Sequence, residues 1–228
     1  MLFDPDCGQP QEAAMAQQPA PRGLGFRHRT CLLIFLIVVI CYADRTNIGI
    51  VLAEASLPNI GNQKGNVLSA FFVGYFCTQL LGGYLARRIG SKATLLIAVA
   101  MWTTFDALTP FAARLGVTWL LLDRIGMGFG EGMLFPTQHA LSSYWVPTHE
   151  RAFLITFMSS GQDVGSVLAN AVTPHLAEAG AWLVFASWAG LACLWCVACV
   201  FLGASAPELH NRCRQSGEAS WIQQHRAA

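Results

Sequence analysis

The chain has 228 residues, of which 54% are apolar and only 12% are charged. Soluble globular proteins carry about one quarter charged residues, so this composition, with a mean hydropathy of +0.44, predicts a protein that crosses a membrane several times. The formal net charge of +1 provides no strongly basic surface for nucleic acid, and no nucleic-acid partner is expected. The apolar runs are long, without the alternating ten-residue pattern of membrane barrels. The predicted fold class is therefore an all-α membrane protein.

Residues 1–29 precede the first apolar run and are rich in Gln, Ala and Pro. They show no apolar periodicity, and they fit neither a signal peptide nor a transit peptide. We therefore predict a disordered cytoplasmic tail over 1–29 that ends in a basic cluster with Arg27 and Arg29.

Six apolar segments follow, and together they predict a bundle of six transmembrane helices over 30–204. A polar cytoplasmic tail, 205–228, comes after the bundle. The predicted spans cover about 31–53, 66–86, 93–113, 117–145, 148–175 and 181–203.

The basic residues favour one orientation of this bundle. If the amino terminus is cytoplasmic, ten of the fourteen Lys and Arg residues lie on that side, two lie on the other side and two lie in the membrane. Lys and Arg accumulate in short cytoplasmic loops, so both termini are predicted to be cytoplasmic. The ten are Arg22, Arg27, Arg29, Arg87, Arg88, Lys92, Arg151, Arg212, Arg214 and Arg226.

The fourth predicted span carries charged residues at bilayer depth. Arg124 and Glu131 are seven residues apart, which places them on nearly the same helix face about 10 Å from each other. Charged groups inside a membrane are costly and usually face a water-accessible cavity. Both are therefore expected to line one cavity of a transport helix. The alternative is a buried charge pair that only fixes packing.

Small residues in the same span predict close helix packing. Gly126, Gly128, Gly130 and Gly132 form two overlapping Gly-x-x-x-Gly spacings, which let two neighbouring helices approach this one. Pro136 lacks a backbone donor and is expected to weaken the helix just beyond Glu131.

The ordered segments resemble the anion:cation symporter family of the major facilitator superfamily. The resemblance covers about residues 30–205 and rests on YADRTNIG at 42–49, GGYLARRIGSK at 82–92 and RIGMGFGEGMLFPTQH at 124–139. WVPTHERA at 145–152 and SGQDVGSV at 160–167 continue it into the fifth span. Each piece alone is weak, whereas the ordered set is specific.

The resemblance implies the amino-terminal half of a major facilitator fold and secondary active transport of small organic or inorganic anions, coupled to protons or sodium ions. It implies that Arg45 and Arg124, with Asn47 beside them, bind the anion. Glu131 is the implied carrier of the coupled proton or cation. Asp163 is the next candidate for this role, and the alternative for Asp163 is a carboxyl group that only hydrogen-bonds a neighbouring helix. The implied cytoplasmic gating residues are Arg87, Arg88, Gly90, Lys92, Glu150 and Arg151.

Arg87 departs from the family pattern. It occupies a position that is often acidic in the family, so the usual acidic member of the gating pair is missing from that loop.

Other functional classes fit the sequence less well. No cofactor or metal is predicted, because Cys193, Cys196 and Cys199 lie in an apolar helix without His or carboxylate neighbours. No enzymatic activity is predicted either, since an intramembrane hydrolase of the rhomboid kind needs a serine at a helix start, and Ser205 follows the last span. A non-transporting membrane interaction protein derived from a transporter remains the alternative.

No second set of hydrophobic spans follows the sixth. Major facilitators bind substrate between two six-helix bundles. We therefore expect half of a transporter, which pairs with a second six-helix half or with another copy in the lipid bilayer and does not transport alone as a monomer.

Overall fold

The computed structural model describes residues 25–53 and 61–226, and these residues contain helices but no strand. The helices of the bundle are α1 (Phe26–Ala53), α2 (Lys64–Arg88), α3 (Ser91–Leu115), α4 (Val117–Glu131), α5 (Leu134–Trp145), α6 (Arg151–Ala179) and α7 (Ala181–Leu202). Two short helices, α8 (Asn211–Gln215) and α9 (Glu218–Arg226), follow the bundle.

Four helical segments of the described chain are long and apolar enough by themselves to cross a membrane. They are α1, α2 together with the 3₁₀ turn before it (Gly61–Arg88), α3 and α7. Helix α6 has 29 residues, which is ample length, but it carries more polar side chains. The fourth predicted span is divided into α4 and α5. The all-α membrane bundle predicted from the sequence is confirmed.

The division of the fourth span lies at Gly132 and Met133, four and three residues before Pro136. A proline ring clashes with the carbonyl group four residues earlier in a regular helix. The amide of Met133 instead donates to the carbonyl of Gly130 at 3.2 Å, and the regular pattern resumes when Thr137 donates to Met133. Glu131 therefore ends α4.

Helix α1 begins at Phe26, inside the region predicted as a disordered tail, and α8 and α9 lie inside the predicted polar tail. Residues 1–24 of the predicted tail lie outside the described residues. The Glu218 carboxylate accepts hydrogen bonds from the amides of Phe26 at 2.7 Å and Arg27 at 3.3 Å. These amides at the start of α1 have no partner within the helix, so the distant glutamate caps it.

Arg27 joins the two chain regions at this end of the bundle. Its Nε lies 2.9 Å from Glu150 Oε2, and its Nη1 lies 3.4 Å from Glu218 Oε1. The guanidinium also stacks over the ring of Trp221 at 4.8 Å. We call Arg27, Glu150, Glu218 and Trp221 the end cluster. It holds α9 against the bundle.

Helix α4 packs between α2 and α3, and its glycines permit both contacts. A Cβ atom at Gly128 or Gly132 would overlap a backbone carbonyl oxygen of α2. A Cβ atom at Gly126 would overlap a ring of α3, and one at Gly130 would lie 2.7 Å from a backbone nitrogen of α3. Each Gly-x-x-x-Gly pair thus serves a different neighbouring helix.

Helix α1 packs along α6 in the most extensive helix pair of the structure. A Cβ atom at Gly165 would overlap the carbonyl oxygen of Val39, and one at Gly161 would lie 2.8 Å from that of Phe35. The two small residues therefore bring the α6 backbone against α1.

We predict that Gly128→Ala destabilises the bundle by about 1–3 kcal/mol, because the added methyl group overpacks the contact with α2. Gly190→Ala is the matched control, since nothing lies within 4 Å of its Cβ position in α7 and alanine favours a helix by up to about 1 kcal/mol over glycine. The thermal unfolding midpoints of both purified variants in detergent measure the difference. Equal midpoints would contradict the packing assignment.

The second prediction concerns Cys213 in α8, which is fully buried. Burial, together with the nearby Glu218 and Glu208 carboxylates, raises the pKa of its thiol to about 12. Only the thiolate reacts, so at pH 8 a maleimide should label Cys213 roughly a thousandfold more slowly than an ordinary thiol.

Glu218→Gln should accelerate this labelling at least about tenfold, because it weakens the charged cap of α1 and removes a nearby negative charge. The control is Glu208→Gln, which removes a charge near Cys213 but no helix cap; its carboxylate is 39% exposed and lies 3.8 Å from Arg226. Labelling is followed in a variant whose only cysteine is Cys213. The same labelling rate in both variants would show that the Glu218 cap of α1 does not hold α8, and with it Cys213, in place.

Candidate functional site

Arg45 of α1 and Glu131 of α4 form an ion pair inside the bundle. Arg45 Nη2 lies 2.7 Å and Nε 3.0 Å from the same oxygen, Glu131 Oε2. The Cys41 thiol also lies 3.2 Å from this oxygen. The glutamate side chain is 0% exposed, whereas that of Arg45 is 22% exposed. Solvent or a ligand therefore reaches the pair from the arginine side.

Aromatic rings surround the Arg45 guanidinium on its other sides. Its Cζ lies 4.6 Å from the ring centre of Tyr42, 4.8 Å from Phe71 and 5.0 Å from Tyr75. Aromatic faces attract cations. These rings therefore favour the same position for the guanidinium even when Glu131 releases it.

Arg124 is almost fully buried and is paired with the preceding residue, Asp123. Arg124 Nη2 lies 2.9 Å and Nε 3.3 Å from Asp123 Oδ2. Nη2 also donates to the Thr109 hydroxyl of α3, and this hydroxyl donates to the same Asp123 oxygen at 3.0 Å. The sequence-based site did not include Asp123 or Thr109, although the charge adjacent to Arg124 was a visible signal.

Arg45 and Arg124 line one open cavity of about 260 Å³. Glu131 does not line it and reaches it only through Arg45. In both guanidinium groups, Nη1 makes no hydrogen bond to any residue in 25–53 or 61–226, so each retains free donors. The remaining lining side chains are apolar: Ile48, Val67, Leu68, Phe71, Phe72 and Met127.

Two further carboxyl groups are buried beside these charges, Asp44 of α1 and Asp106 of α3. Both are 0% exposed. The Asp106 carboxyl makes no hydrogen bond within the described part of the chain, and the indole of Trp102 is the hydrogen-bonding group beside Asp44. Arg124 and Glu131 lie within electrostatic range of both. The site therefore extends from α1 through α4 to α3.

Asn47 and Asp163 lie apart from the cavity. Asn47 is buried, and its Oδ1 accepts a hydrogen bond from the Thr173 hydroxyl of α6. Asp163 lies on the exposed surface of α6 and has no ion-pair partner among the described residues. Asn47 thus links α1 to α6, and the structure does not bring Asp163 to Arg45 or Arg124.

The residues assigned to gating divide into separate groups. Glu150 binds Arg27 in the end cluster, and no described contact joins it to Arg87 or Arg88. Arg88 Cζ lies 5.4 Å from the ring of Tyr84, and Arg87 is exposed. Arg27, the partner of Glu150, lies in the region predicted as a tail, so the sequence motifs gave no sign of this pair.

Two other members of the gating set lie where α3 begins. Gly90 precedes α3 with a φ of +90°, a conformation that favours glycine. The amide of Lys92 donates to the Ser205 hydroxyl at 3.1 Å, and its ammonium donates to the Val200 carbonyl at 2.7 Å. Lys92 therefore connects α3 with the end of α7. Arg151 is half-buried at the start of α6.

Within the described ranges, no group of three or more His, Cys, Asp or Glu side chains is arranged to hold a metal ion. Cys193 is exposed, Cys196 is half-buried and Cys199 is buried, so the three thiols point to different surroundings of α7.

Known proteins resemble this chain over most of its length. Residues 34–226 match the model of the Major Facilitator Superfamily. The chain is 36% identical over 191 residues to "Probable anion transporter 1, chloroplastic" of Oryza sativa subsp. japonica, covering 82% of this chain and 35% of that protein. It is 34% identical over 204 residues to "Ascorbate transporter, chloroplastic" of Arabidopsis thaliana, covering 88% and 37%. It is 36% identical over 179 residues to "Sodium-dependent phosphate transport protein 1, chloroplastic" of Arabidopsis thaliana, covering 77% and 35%.

A solved structure shares the fold. The crystal structure of a bacterial homolog of the human lysosomal transporter Spinster, inward-facing and unoccupied, matches with a TM-score of 0.71 and 20% identity, over 81% of this chain and 44% of that one. The chain spans little more than a third of the length of these plant relatives. With its helical bundle, its apolar spans and its match to the family model over residues 34–226, this multi-pass integral membrane chain belongs to the Major Facilitator Superfamily.

Proposed function

We propose that this chain forms the amino-terminal bundle of a secondary active transporter for small organic or inorganic anions. The observation that carries the proposal is the cavity lined by both Arg45 and Arg124. A guanidinium stays charged at every relevant pH, and its planar fork suits carboxylate and phosphate oxygens. Relatives named as anion, ascorbate and phosphate transporters support the same substrate class.

The charge balance of the site supports coupling to protons. The buried guanidinium of Arg124 and the partly exposed one of Arg45 face four buried carboxyl groups, those of Asp44, Asp106, Asp123 and Glu131. With all four ionised, the site would carry a net charge of −2 and would repel an anion. Proton uptake by these carboxyl groups makes the site neutral or positive, so anion binding and proton binding favour each other.

Glu131 is the carboxyl group that we propose couples the two events. It holds Arg45 at 2.7 Å and lies at the carboxyl end of α4, where the helix dipole disfavours a negative charge. Protonation removes the charged partner of Arg45 and leaves its guanidinium for the anion. Asp44, Asp106 and the exposed Asp163 are further candidates for proton or sodium binding.

We further propose that a second six-helix bundle completes the transporter, either as another copy of this chain or as a separate half. The cavity is open, and apolar side chains on its rim, such as Phe72 at 47% exposure, have no cover. Asp163 is exposed on a helix of membrane-spanning length, which is costly against lipid. A facing bundle would cover both.

Reconstitution into proteoliposomes tests this function. Phosphate, ascorbate and glutamate uptake is measured with and without an inward proton gradient, alongside the mass of the protein in the membrane. We expect gradient-driven uptake by a species larger than one chain. Uptake by a demonstrated monomer would contradict the second-bundle proposal. The absence of anion binding and uptake in every oligomeric state would favour a non-transporting interaction protein.

Arg124→Lys should weaken equilibrium anion binding at least about tenfold, because an ammonium group keeps the charge but cannot make the two parallel contacts of a guanidinium. Arg114→Lys is the matched control, since Arg114 is exposed at the end of α3. Binding of the radiolabelled anion to purified protein measures both variants. Unchanged affinity in Arg124→Lys would remove this residue from the site.

Glu131→Gln should flatten the pH dependence of anion binding. The charged form of Glu131 competes with the anion for Arg45. Glutamine has no charged form, so the affinity of the variant should no longer depend on this competition. Glu178→Gln, at an exposed position near the end of α6, controls for the loss of a carboxyl group. A wild-type pH profile in Glu131→Gln, measured by the same binding assay, would assign the coupling to another carboxyl group.

A further inference from the structure

A second cavity lies away from the arginine site, at the end of the bundle that carries the end cluster. It is an open groove of about 920 Å³ between the first turns of α1, the last turn of α7 and the start of α8. Its inner wall is apolar and includes Leu32 and Leu36 of α1 and Phe201 and Leu202 of α7. We call it the α1–α7 groove.

The rim of the α1–α7 groove is cationic. Arg29, Lys92 and Arg212 line it, and its lining contains no Asp or Glu. Arg29 and Arg212 are exposed, and neither forms an ion pair within residues 25–53 and 61–226. The Lys92 ammonium donates once, to Val200, and so keeps two donors. His210 packs against Phe26 at 4.8 Å and borders the same rim.

The neighbouring helix places the groove at the membrane surface. Helix α7 contains no charged residue and is the most apolar of the four candidate spans. Large side chains project from it, with Leu194 67% and Phe201 80% exposed, which suits contact with lipid tails. The cationic rim lies where this apolar helix ends. Because a spanning helix ends near the headgroups, we infer that the rim lies at their depth.

The backbone around the groove is held in place by specific contacts. Trp145 Nε1 donates to the Ala204 carbonyl at 3.1 Å, just after α7. The Cys213 amide donates to His210 Nδ1 at 3.2 Å at the start of α8. The groove is therefore formed by the fold and needs no ligand to assemble it.

We propose that the α1–α7 groove binds an anionic phospholipid. The phosphate lies among Arg29, Lys92 and Arg212, and an acyl chain lies along the apolar wall formed by α1 and α7. Basic pockets between membrane helices match such headgroups in charge, and guanidinium groups match them in geometry. A soluble anion would leave the apolar wall unfilled. A zwitterionic lipid would bring a choline cation to a rim without a carboxylate.

Such a lipid would connect three parts of the chain. Arg29 belongs to α1, Lys92 to α3 and Arg212 to α8. A phosphate shared among them would attach α8 to the bundle beside the end cluster. The site is independent of the anion proposed for the central cavity, because none of its residues lines that cavity.

Native mass spectrometry and thermal unfolding of the purified full chain test the proposal, with phosphatidylglycerol and phosphatidylcholine as probes. We expect phosphatidylglycerol to stay bound and to raise the unfolding midpoint, and phosphatidylcholine to do neither. The double variant Arg29→Gln and Arg212→Gln should weaken phosphatidylglycerol binding about thirtyfold. Each Lys or Arg near an anionic lipid contributes about the same binding free energy, and the variant loses two of them.

The matched control is Arg88→Gln with Arg214→Gln, which removes the same charge from exposed residues outside the groove. Its binding should stay within about twofold of wild type, since the pairwise contacts of the groove are kept. An equal loss of phosphatidylglycerol binding in both double variants would show that only the total charge matters and would overturn the site. Glycerol phosphate and inorganic phosphate are added separately. If either reproduces the stabilisation, the groove binds a free anion and the lipid assignment is wrong.

A labelling experiment on the unmodified chain does not depend on how the variants fold. Phosphatidylglycerol with a photoreactive group in its acyl chain should label mainly residues 29–36 and 198–204. Labelling spread evenly over the apolar helices would overturn the proposal.

Discussion

The ion pair between the fully buried Glu131 and Arg45 joins α1 to α4, and much of the site depends on it. An unpaired carboxylate in an apolar interior costs several kcal/mol, and Arg45 of α1 offsets this cost at 2.7 Å from Glu131 at the end of α4. The fourth span is divided just after Glu131, so this carboxylate belongs to the last residue of α4. The glycine and proline residues that divide the span also determine where its charged group is placed.

Close backbone packing then brings further charges together. Gly126 and Gly130 place α4 against α3, which carries Asp106 and Thr109. Thr109 in turn bonds both Arg124 and Asp123. Large residues at the glycine positions would separate α3 from α4 and leave these polar groups without partners. The small residues are therefore a condition for the ion pairs as much as for the packing.

The same logic applies at the end of the bundle. Arg27 is 3% exposed and lies between Glu150 and Glu218, so a residue near the first described position depends on two distant parts of the chain. The glutamate that caps α1 also lies within electrostatic range of Cys213, in the segment that borders the α1–α7 groove. Two regions that look like polar tails in the sequence thus form one structural unit with the bundle.

The sequence alone determined the class of the protein, its apolar spans, the glycine-rich faces of the fourth span and the presence of Arg45 and Arg124 inside its helices. These features are local: apolar length, residue spacing and charge at bilayer depth are visible within one helix. The tertiary structure decided which groups meet. Sequence spacing suggested that Arg124 and Glu131 share a cavity, whereas the fold pairs Glu131 with Arg45 and Arg124 with Asp123. Asn47 contacts Thr173, and Arg27 contacts Glu218, for the same reason. Each pairing depends on how helices rotate and approach one another, and that is set by packing between residues distant in the chain.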